Sequence, residues 1–466
     1  MELGVFVYRL YRALTYGISP LVHLHIRWRG LRGLEHCRRW PERLGHPSAV
    51  RSPGSLIWFH AVSLGEGMAA IPVIRRCNEL KPDLTILMTT TTVSAFEVIK
   101  NQLPIGVLHQ FAPLDTPGAI DRFLGHWKPN AIIIMENELW PNLIMAAAGL
   151  YIPLALLNAR MSTKSFKRWS SPLLLPLVSL LLSKFSLIAP LSTLQGIHFQ
   201  LLHAPPFVID YSGDLKYVVN KFHGTSESIR DLKVELADMK VWIASSLHRG
   251  EEEVILGVHN MLLTSHPDSV VIIVPRHPHH GQQIAHKLRK DGQSVALRSQ
   301  NEKLTSGKTN IYVVDTLGLS FATLYLPSAS PFILFKNPIC VCLFSLGELR
   351  EFYSVAPIAV IGGSFIPGLT GHNLSEAAAA GCAVITGCHV GHFSHMVKAM
   401  KQSNPLSVTQ VSTKLELKEA VDLLLSNPEI LETHQRASKE VYESLSSCII
   451  TNIWNLLNLH ILRGKL

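Results

Sequence analysis

Two carboxylates, Glu136 and Glu138, directly follow five apolar residues at 131–135. Acids placed straight after a buried strand are unusual. They can be a helix cap with a solvated acid, or a pair held for chemistry at the strand's carboxyl end. A third carboxylate, Glu66, lies in Gly65-Glu66-Gly67, just after the apolar run 55–62. At a helix N-terminus in a glycine loop, such a group can approach a bound hydroxyl and take its proton. It can equally complement the helix dipole as a first-turn acid, and spacing alone leaves both roles open. Gly65-Glu-Gly-Met-Ala-Ala70 also fits the dinucleotide fingerprint G-x-G-x-x-A. That fingerprint wants an acid closing the next strand, where this chain has Thr89-Thr-Thr-Thr92, so NAD is not expected.

In the second half, Pro275-Arg276-His277-Pro278 follows the run 270–274. An arginine there can grip phosphate bidentately, or simply face water. Gly362-Gly-Ser-Phe365 follows the run 358–361, and Gly371-His-Asn-Leu-Ser-Glu376 comes soon after. A glycine turn leading into a helix N-terminus suits phosphate, and Glu376, one turn in, can hold ribose hydroxyls. A base candidate in one half and a nucleotide cradle in the other suit an enzyme that joins an acceptor to an activated donor. The 7 Cys are scattered, Cys340 and Cys342 form C-x-C, and the 23 His include no H-E-x-x-H. Reduced thiols, no zinc site and no cofactor are expected.

These residues need a scaffold. Short Val- and Ile-rich runs at 55–62, 85–88, 131–135, 152–157, 207–209, 241–244, 270–274, 311–314, 358–361 and 383–385 read as buried parallel strands. Helical patterns at 67–80, 250–264 and 375–380 separate them, giving an α/β chain with two doubly wound domains. The expected boundaries are 46–218 and 219–466, with the junction in the polar stretch 216–226. A chain of 466 residues, 47% hydrophobic and 17% charged, is long enough for both cores. Net charge is +9, and residues 1–45 hold eight Arg against three Glu. Phe6, Tyr8, Tyr11, Leu14 and Tyr16 lie among those arginines. This pattern favours an anionic membrane surface over nucleic acid, for which no RRM, KH or zinc-finger signature exists. Arg9 and Arg12 interrupt any secretory apolar run, and the uncharged stretch 13–26 contains Pro20 and is too short to span a bilayer. Residues 1–45 therefore read as a surface anchor or a removable targeting segment.

Taken in order, Arg39-Trp-Pro-Glu-Arg-Leu-Gly45, His60-Ala-Val-Ser-Leu-Gly-Glu66, Met135-Glu-Asn-Glu-Leu-Trp-Pro-Asn142, Asn158-Ala-Arg160, Gly213-Asp-Leu-Lys216, Val274-Pro-Arg-His-Pro278 and Gly371-His-Asn-Leu-Ser-Glu376 resemble the 3-deoxy-D-manno-octulosonic acid (Kdo) transferases. The resemblance implies a glycosyltransferase-B fold, two Rossmann-like domains facing across a cleft. It implies transfer of Kdo from CMP-Kdo to a lipid A precursor with inversion and without metal. By position, Glu66 is similar to the family's general base, and Glu136 and Lys216 to its charge stabilisers. Pro275, Arg276, Asn373, Leu374, Ser375 and Glu376 are similar to its CMP contacts.

One family motif, D-T-x-G-E-L, is interrupted. Asp315-Thr-Leu-Gly318 is separated from Leu346-Gly-Glu-Leu349, whose Leu346, Gly347 and Glu348 would complete the CMP site. Removing 317–345 restores Asp-Thr-Leu-Gly-Glu-Leu. That insert has one charge, Lys336, and three prolines, Pro327, Pro331 and Pro338. It reads as translated intron, which indicates a eukaryotic gene, or else as a native loop. The similar plant transferases imply mitochondria; a bacterial member would sit on the cytoplasmic face of the inner membrane. Two other functions fit the same residues: a transferase of this fold using a UDP-sugar, and an inactive membrane-bound scaffold.

Overall fold

The computed structural model describes residues 2–218, 227–304, 309–316 and 349–462. The insertion 317–345 and Leu346, Gly347 and Glu348 lie outside the described residues. The chain divides into two compact units, Met1–Asn220 with Ser446–Leu466, and Lys221–Leu445. The last segment thus groups with the first unit, whereas the sequence reading kept 219–466 together.

The first unit is built on six parallel strands: β1 (Leu56–His60), β2 (Thr85–Thr90), β3 (Leu108–Phe111), β4 (Ala131–Met135), β5 (Leu154–Ala159) and β6 (Leu187–Pro190). Their order is β3-β2-β1-β4-β5-β6. Every residue of β1, β4 and β5 is buried, as expected of strands covered by helices on both faces. The order reverses between β1 and β4; Glu66 stands in the first turn of the helix after β1, and Glu136 in the loop after β4. In doubly wound sheets that switch point is where ligands bind.

Phe207–Ile209 is not a strand, contrary to the sequence expectation. Pro206–Val208 forms a 3-10 turn, because Pro205 and Pro206 fix φ and remove the ladder donors. Only Ile209 keeps a single bridge, to Ile188.

The motif Arg39–Gly45 is structural. Glu42 Oε2 accepts the Phe111 N–H at 2.6 Å and Arg43 Nη1 donates to Ala112 O at 2.5 Å. Both contacts lie at the end of the edge strand β3, so the motif caps that edge. Gly45 has φ +83°, and a Cβ there would meet Ala119 O at 2.2 Å. Only glycine meets both demands.

The helix Glu2–Gly17 packs on the helix Leu175–Leu182 and buries Gly4 and Tyr8. The Tyr11 hydroxyl donates to Asp115 Oδ2 at 3.0 Å, and Asn142 Nδ2 donates to Thr15 Oγ1 at 3.0 Å. Asp115 also accepts the Asn142 and Leu143 N–H groups at 3.1 and 2.9 Å. It thereby caps the helix Pro141–Gly149, which follows the Glu136 loop. Burial pushes its carboxyl up to about 6. Asp115→Ala orphans these donors and should cost about 2–4 kcal/mol in urea unfolding; a loss below ~0.5 kcal/mol would remove Asp115 from this role. Removing Glu2–Gly17 would strip the same cap of a donor, so this helix belongs to the folded unit. Its other side leaves Leu3, Phe6, Leu10 and Leu14 exposed.

The second unit holds seven parallel strands: β7 (Lys240–Leu247), β8 (Ser269–Pro275), β9 (Val295–Leu297), β10 (Ile311–Val313), β11 (Ile358–Ile361), β12 (Ala383–Thr386) and β13 (Thr409–Gln410). The order is β13-β12-β11-β7-β8-β10-β9, and the switch lies between β7 and β11. The long helix Pro428–Leu457 and its extension to Leu462 are apolar and long enough to cross a membrane among the described residues. Ile453, Leu457 and Ile461 are nevertheless buried within the protein.

Candidate active site

In the first unit, Ser63 caps the helix Leu64–Leu80 through the Glu66 N–H. The Glu66 carboxylate turns back on the same cap. Its Oε2 accepts the Val62 N–H at 2.7 Å and its Oε1 accepts the Ser63 hydroxyl at 2.8 Å. Glu66 is buried, and burial raises its pKa above the ordinary carboxylate range against the pull of these donors, with Glu136 adding to the rise. The Glu66 carboxylate thus takes part in the helix cap and is desolvated at the same time. Glycine at 67 serves packing, since a Cβ there would meet Ile99 Cδ1 at 2.1 Å.

Glu136 follows β4 with φ +57°, a conformation few non-glycine residues adopt. Arg160 Nε donates to its Oε2 at 2.5 Å, and Lys216 Nζ lies 2.7 Å from its Oε1. Two loops are shaped to deliver these cations. Asn158 sits in β5 with φ +53°, at an irregularity between Leu157 and Ala159. Its Oδ1 accepts the Leu215 N–H at 2.9 Å, and Asp214 Oδ1 accepts the Lys216 N–H at 2.9 Å. Three separated motifs thus converge on one carboxylate. The 3-10 turn Leu215–Tyr217 also touches the Glu66 helix, so Glu66, Glu136 and Lys216 share one neighbourhood. Strained backbone at three-way contacts of this kind is concentrated at functional sites.

The family resemblance gives Glu138 no role. Its Oε2 accepts the Trp140 indole N–H at 2.8 Å. Burial pushes its carboxyl up to about 7, with Glu66 and then Glu136 adding to the rise. The Trp140 ring meets His60 edge-on at 4.4 Å. His60 is buried and held neutral, its pKa lowered to about 3 by burial. Its Nδ1 lies 3.0 Å from Thr89 Oγ1, which accepts the Trp58 indole N–H at 2.8 Å. The clue in the sequence was the pairing of Glu138 with a Trp two residues on.

Because the Glu138 pKa rises from 4.5 to about 7 on folding, the folded state holds more protons than the unfolded state across that window. Its stability therefore falls as pH rises through it. Glu138→Gln should flatten this fall: its Tm should drop less than the parent's between about pH 5 and about pH 8. Parallel Tm curves for the two proteins would contradict the assignment.

In the second unit, Pro275 ends β8 and the Arg276 N–H donates to Leu247 O at 2.8 Å. Arg276 follows directly, at the strand's carboxyl end. Beside it, His248, Arg249, His277, His279 and His280 line a cavity of about 310 Å³. His248 and His372 stack, with their Nε2 atoms 2.8 Å apart. Burial and then Arg276 lower the His372 pKa to about 4, so His372 is neutral at neutral pH. Asn373 Oδ1 accepts the Ser375 N–H at 3.1 Å and shapes the turn into the short helix Ser375–Ala380. Leu374 is buried beneath that turn. Glu376 is paired with Arg350 at 2.9 Å.

The glycine turn is a correction to the sequence reading. Its N–H groups do not await a phosphate. Buried Glu251 accepts the Gly363, Ser364 and Phe365 N–H groups at 2.7, 2.9 and 2.9 Å. The same carboxylate accepts the His248 N–H at 2.9 Å. An internal anion fills the nest. The acid run Glu251-Glu252-Glu253 after Gly250 was the available signal.

A model of the family described as 3-deoxy-D-manno-octulosonic-acid transferase (kdotransferase) matches residues 38–219. The chain is 87% identical over 468 aligned positions to an Arabidopsis thaliana protein named probable mitochondrial 3-deoxy-D-manno-octulosonic acid transferase, covering 100% of this chain and 98% of that one. It is 31% identical over 434 positions to the Haemophilus influenzae 3-deoxy-D-manno-octulosonic acid transferase, covering 92% of this chain and 93% of that one. A solved glycosyltransferase structure from Rickettsia africae, 12% identical, is similar in fold with a TM-score of 0.54 over 89% of this chain and 100% of that chain.

Proposed function

The chain belongs to the Kdo transferase family of glycosyltransferases, and we propose that it moves Kdo from CMP-Kdo to a lipid A precursor with inversion at the anomeric carbon. The observation that carries this reading is the convergence of Arg160 and Lys216 on Glu136 beside the buried base Glu66. In the proposed step the acceptor hydroxyl gives its proton to Glu66, and its oxygen bonds to the anomeric carbon. The bond from that carbon to the CMP phosphate oxygen breaks on the opposite face. Each Glu66 oxygen accepts one internal hydrogen bond and keeps a lone pair for the hydroxyl. Desolvation makes the carboxylate a stronger base than one in water. Glu136 fixes the position of Lys216, whose ammonium stabilises the negative charge that builds as the donor departs. Pro275, Arg276, Asn373, Leu374, Ser375 and Glu376 are assigned to CMP, with Leu346, Gly347 and Glu348 completing the site.

We also assign the chain to a mitochondrial membrane surface. The name of the Arabidopsis relative supports the compartment. The exposed stripe Leu3, Phe6, Leu10 and Leu14, with Arg9 and Arg12 beside it, supports the surface.

Calorimetric titration with CMP and UDP, followed by turnover with CMP-Kdo and with UDP-hexoses, tests the donor. Binding of CMP and turnover of CMP-Kdo alone are expected. Turnover of a UDP-hexose alone would favour a different transferase, and no binding of CMP an inactive scaffold.

A further inference from the structure

From Leu139 through Ile209 the chain contains no Asp or Glu. Within this acid-free stretch, Arg160, Lys164, Lys167 and Arg168 fall in nine residues, all exposed. The stretch begins directly after the carboxylate loop, and Arg160 itself pairs with Glu136. The helix Thr163–Trp169 carries the other three cations and buries no residue. It is nonetheless fixed in place. Ser162 caps it through the Ser165 N–H, Met161 N–H donates to Gln195 Oε1 at 2.6 Å, and Phe166 stacks on His198 at 4.5 Å. With Phe166 turned inward, Lys164, Lys167 and Arg168 are left to solvent, with no acidic partner among the described residues. Four residues of chain span at most about 14 Å, so the Lys164 backbone lies within that distance of Arg160, whose side chain reaches Glu136.

Apolar groups accompany the charge. Leu173 is 73% exposed just beyond the helix, and Leu194, Ile197 and Leu201 are exposed on the helix Thr193–Leu201 that carries His198. The helix Glu2–Gly17, with its own exposed apolar stripe, lies against Leu175–Leu182 of the same stretch. A solvated basic helix would not require the loss of every acid over such a length, nor the exposed leucines. A surface that meets an anionic headgroup above and acyl chains below requires both.

We infer that Lys164, Lys167 and Arg168 bind the phosphate groups of the lipid acceptor and hold its sugar hydroxyl at Glu66. This deepens the proposed function and rests on its choice of a phosphorylated lipid acceptor. Lysine and arginine are the residues that pair with phosphate at an interface. The exposed apolar residues of Glu2–Gly17, in the same unit, add a second contact for the membrane that holds the acceptor.

The test uses the full chain and a variant with Lys164→Ser, Lys167→Ser and Arg168→Ser. Flotation is measured with phosphatidylcholine vesicles, with the same vesicles doped with a phosphorylated diglucosamine lipid, and with vesicles doped to equal charge with phosphatidylglycerol. The parent should bind the phosphorylated diglucosamine vesicles best. The variant should lose that gain, on the order of a hundredfold at about fivefold per cation removed, while losing much less on phosphatidylglycerol vesicles and nothing on phosphatidylcholine. In turnover assays the acceptor KM should rise with little change in donor KM. An undiminished gain on the diglucosamine vesicles would overturn the inference, as would an equal loss on phosphatidylglycerol vesicles. Flotation needs no catalysis, so an enzyme that proves not to use CMP-Kdo would overturn the proposed donor and leave this result readable.

Discussion

Glu66→Gln should lower kcat by roughly 10²–10⁴-fold, the range general-base catalysis commands. An amide cannot take the acceptor's proton. The substitution is otherwise mild: the amide oxygen can still accept the Val62 N–H, and the Ser63 hydroxyl can turn to accept from the amide nitrogen. The helix cap and the fold should survive, and so should CMP affinity, because its assigned contacts lie on other residues. A variant retaining more than about a tenth of the parent's kcat would remove Glu66 from the role of base.

Lys216→Met should lower kcat by about 10²–10³-fold, the usual cost of removing one preorganised group that faces developing charge. Arg160 would still hold Glu136, and Asn158 and Asp214 would still fix the loop through backbone N–H groups. The loss should therefore appear in kcat, with both KM values little changed. Lys216→Arg should restore only part of the rate, since the planar guanidinium cannot reproduce a point charge in the same place. A change confined to KM would show that Lys216 binds ground-state substrate and does not act on the transition state.

The buried strands were legible because parallel sheets covered on both faces are nearly continuous Val, Ile and Leu. β4 and β8 stand within a residue of where their apolar runs place them. β3 was missed because Leu108-His-Gln-Phe111 is an edge strand with two polar residues, and β6 because its four residues end on a proline. Phe207–Ile209 misled because apolar content outweighed two preceding prolines. At the site, residue types and positions after strands were readable. Pairings were not: nothing in the spacing says that Arg160 shares Glu136 with Lys216, or that Glu251 fills the glycine turn. Those contacts join residues 24 and more than a hundred positions apart, and only the folded sheets bring them together.

The decisive measurement is product analysis by mass spectrometry and NMR after incubating the full chain with CMP-Kdo and a tetraacylated diglucosamine bisphosphate. Lipid bearing Kdo, with the anomeric configuration opposite to that in CMP-Kdo and with CMP released in equal amount, is the predicted result. A retained configuration would contradict direct displacement by a Glu66-activated hydroxyl. CMP released without any glycosylated lipid would contradict the lipid acceptor.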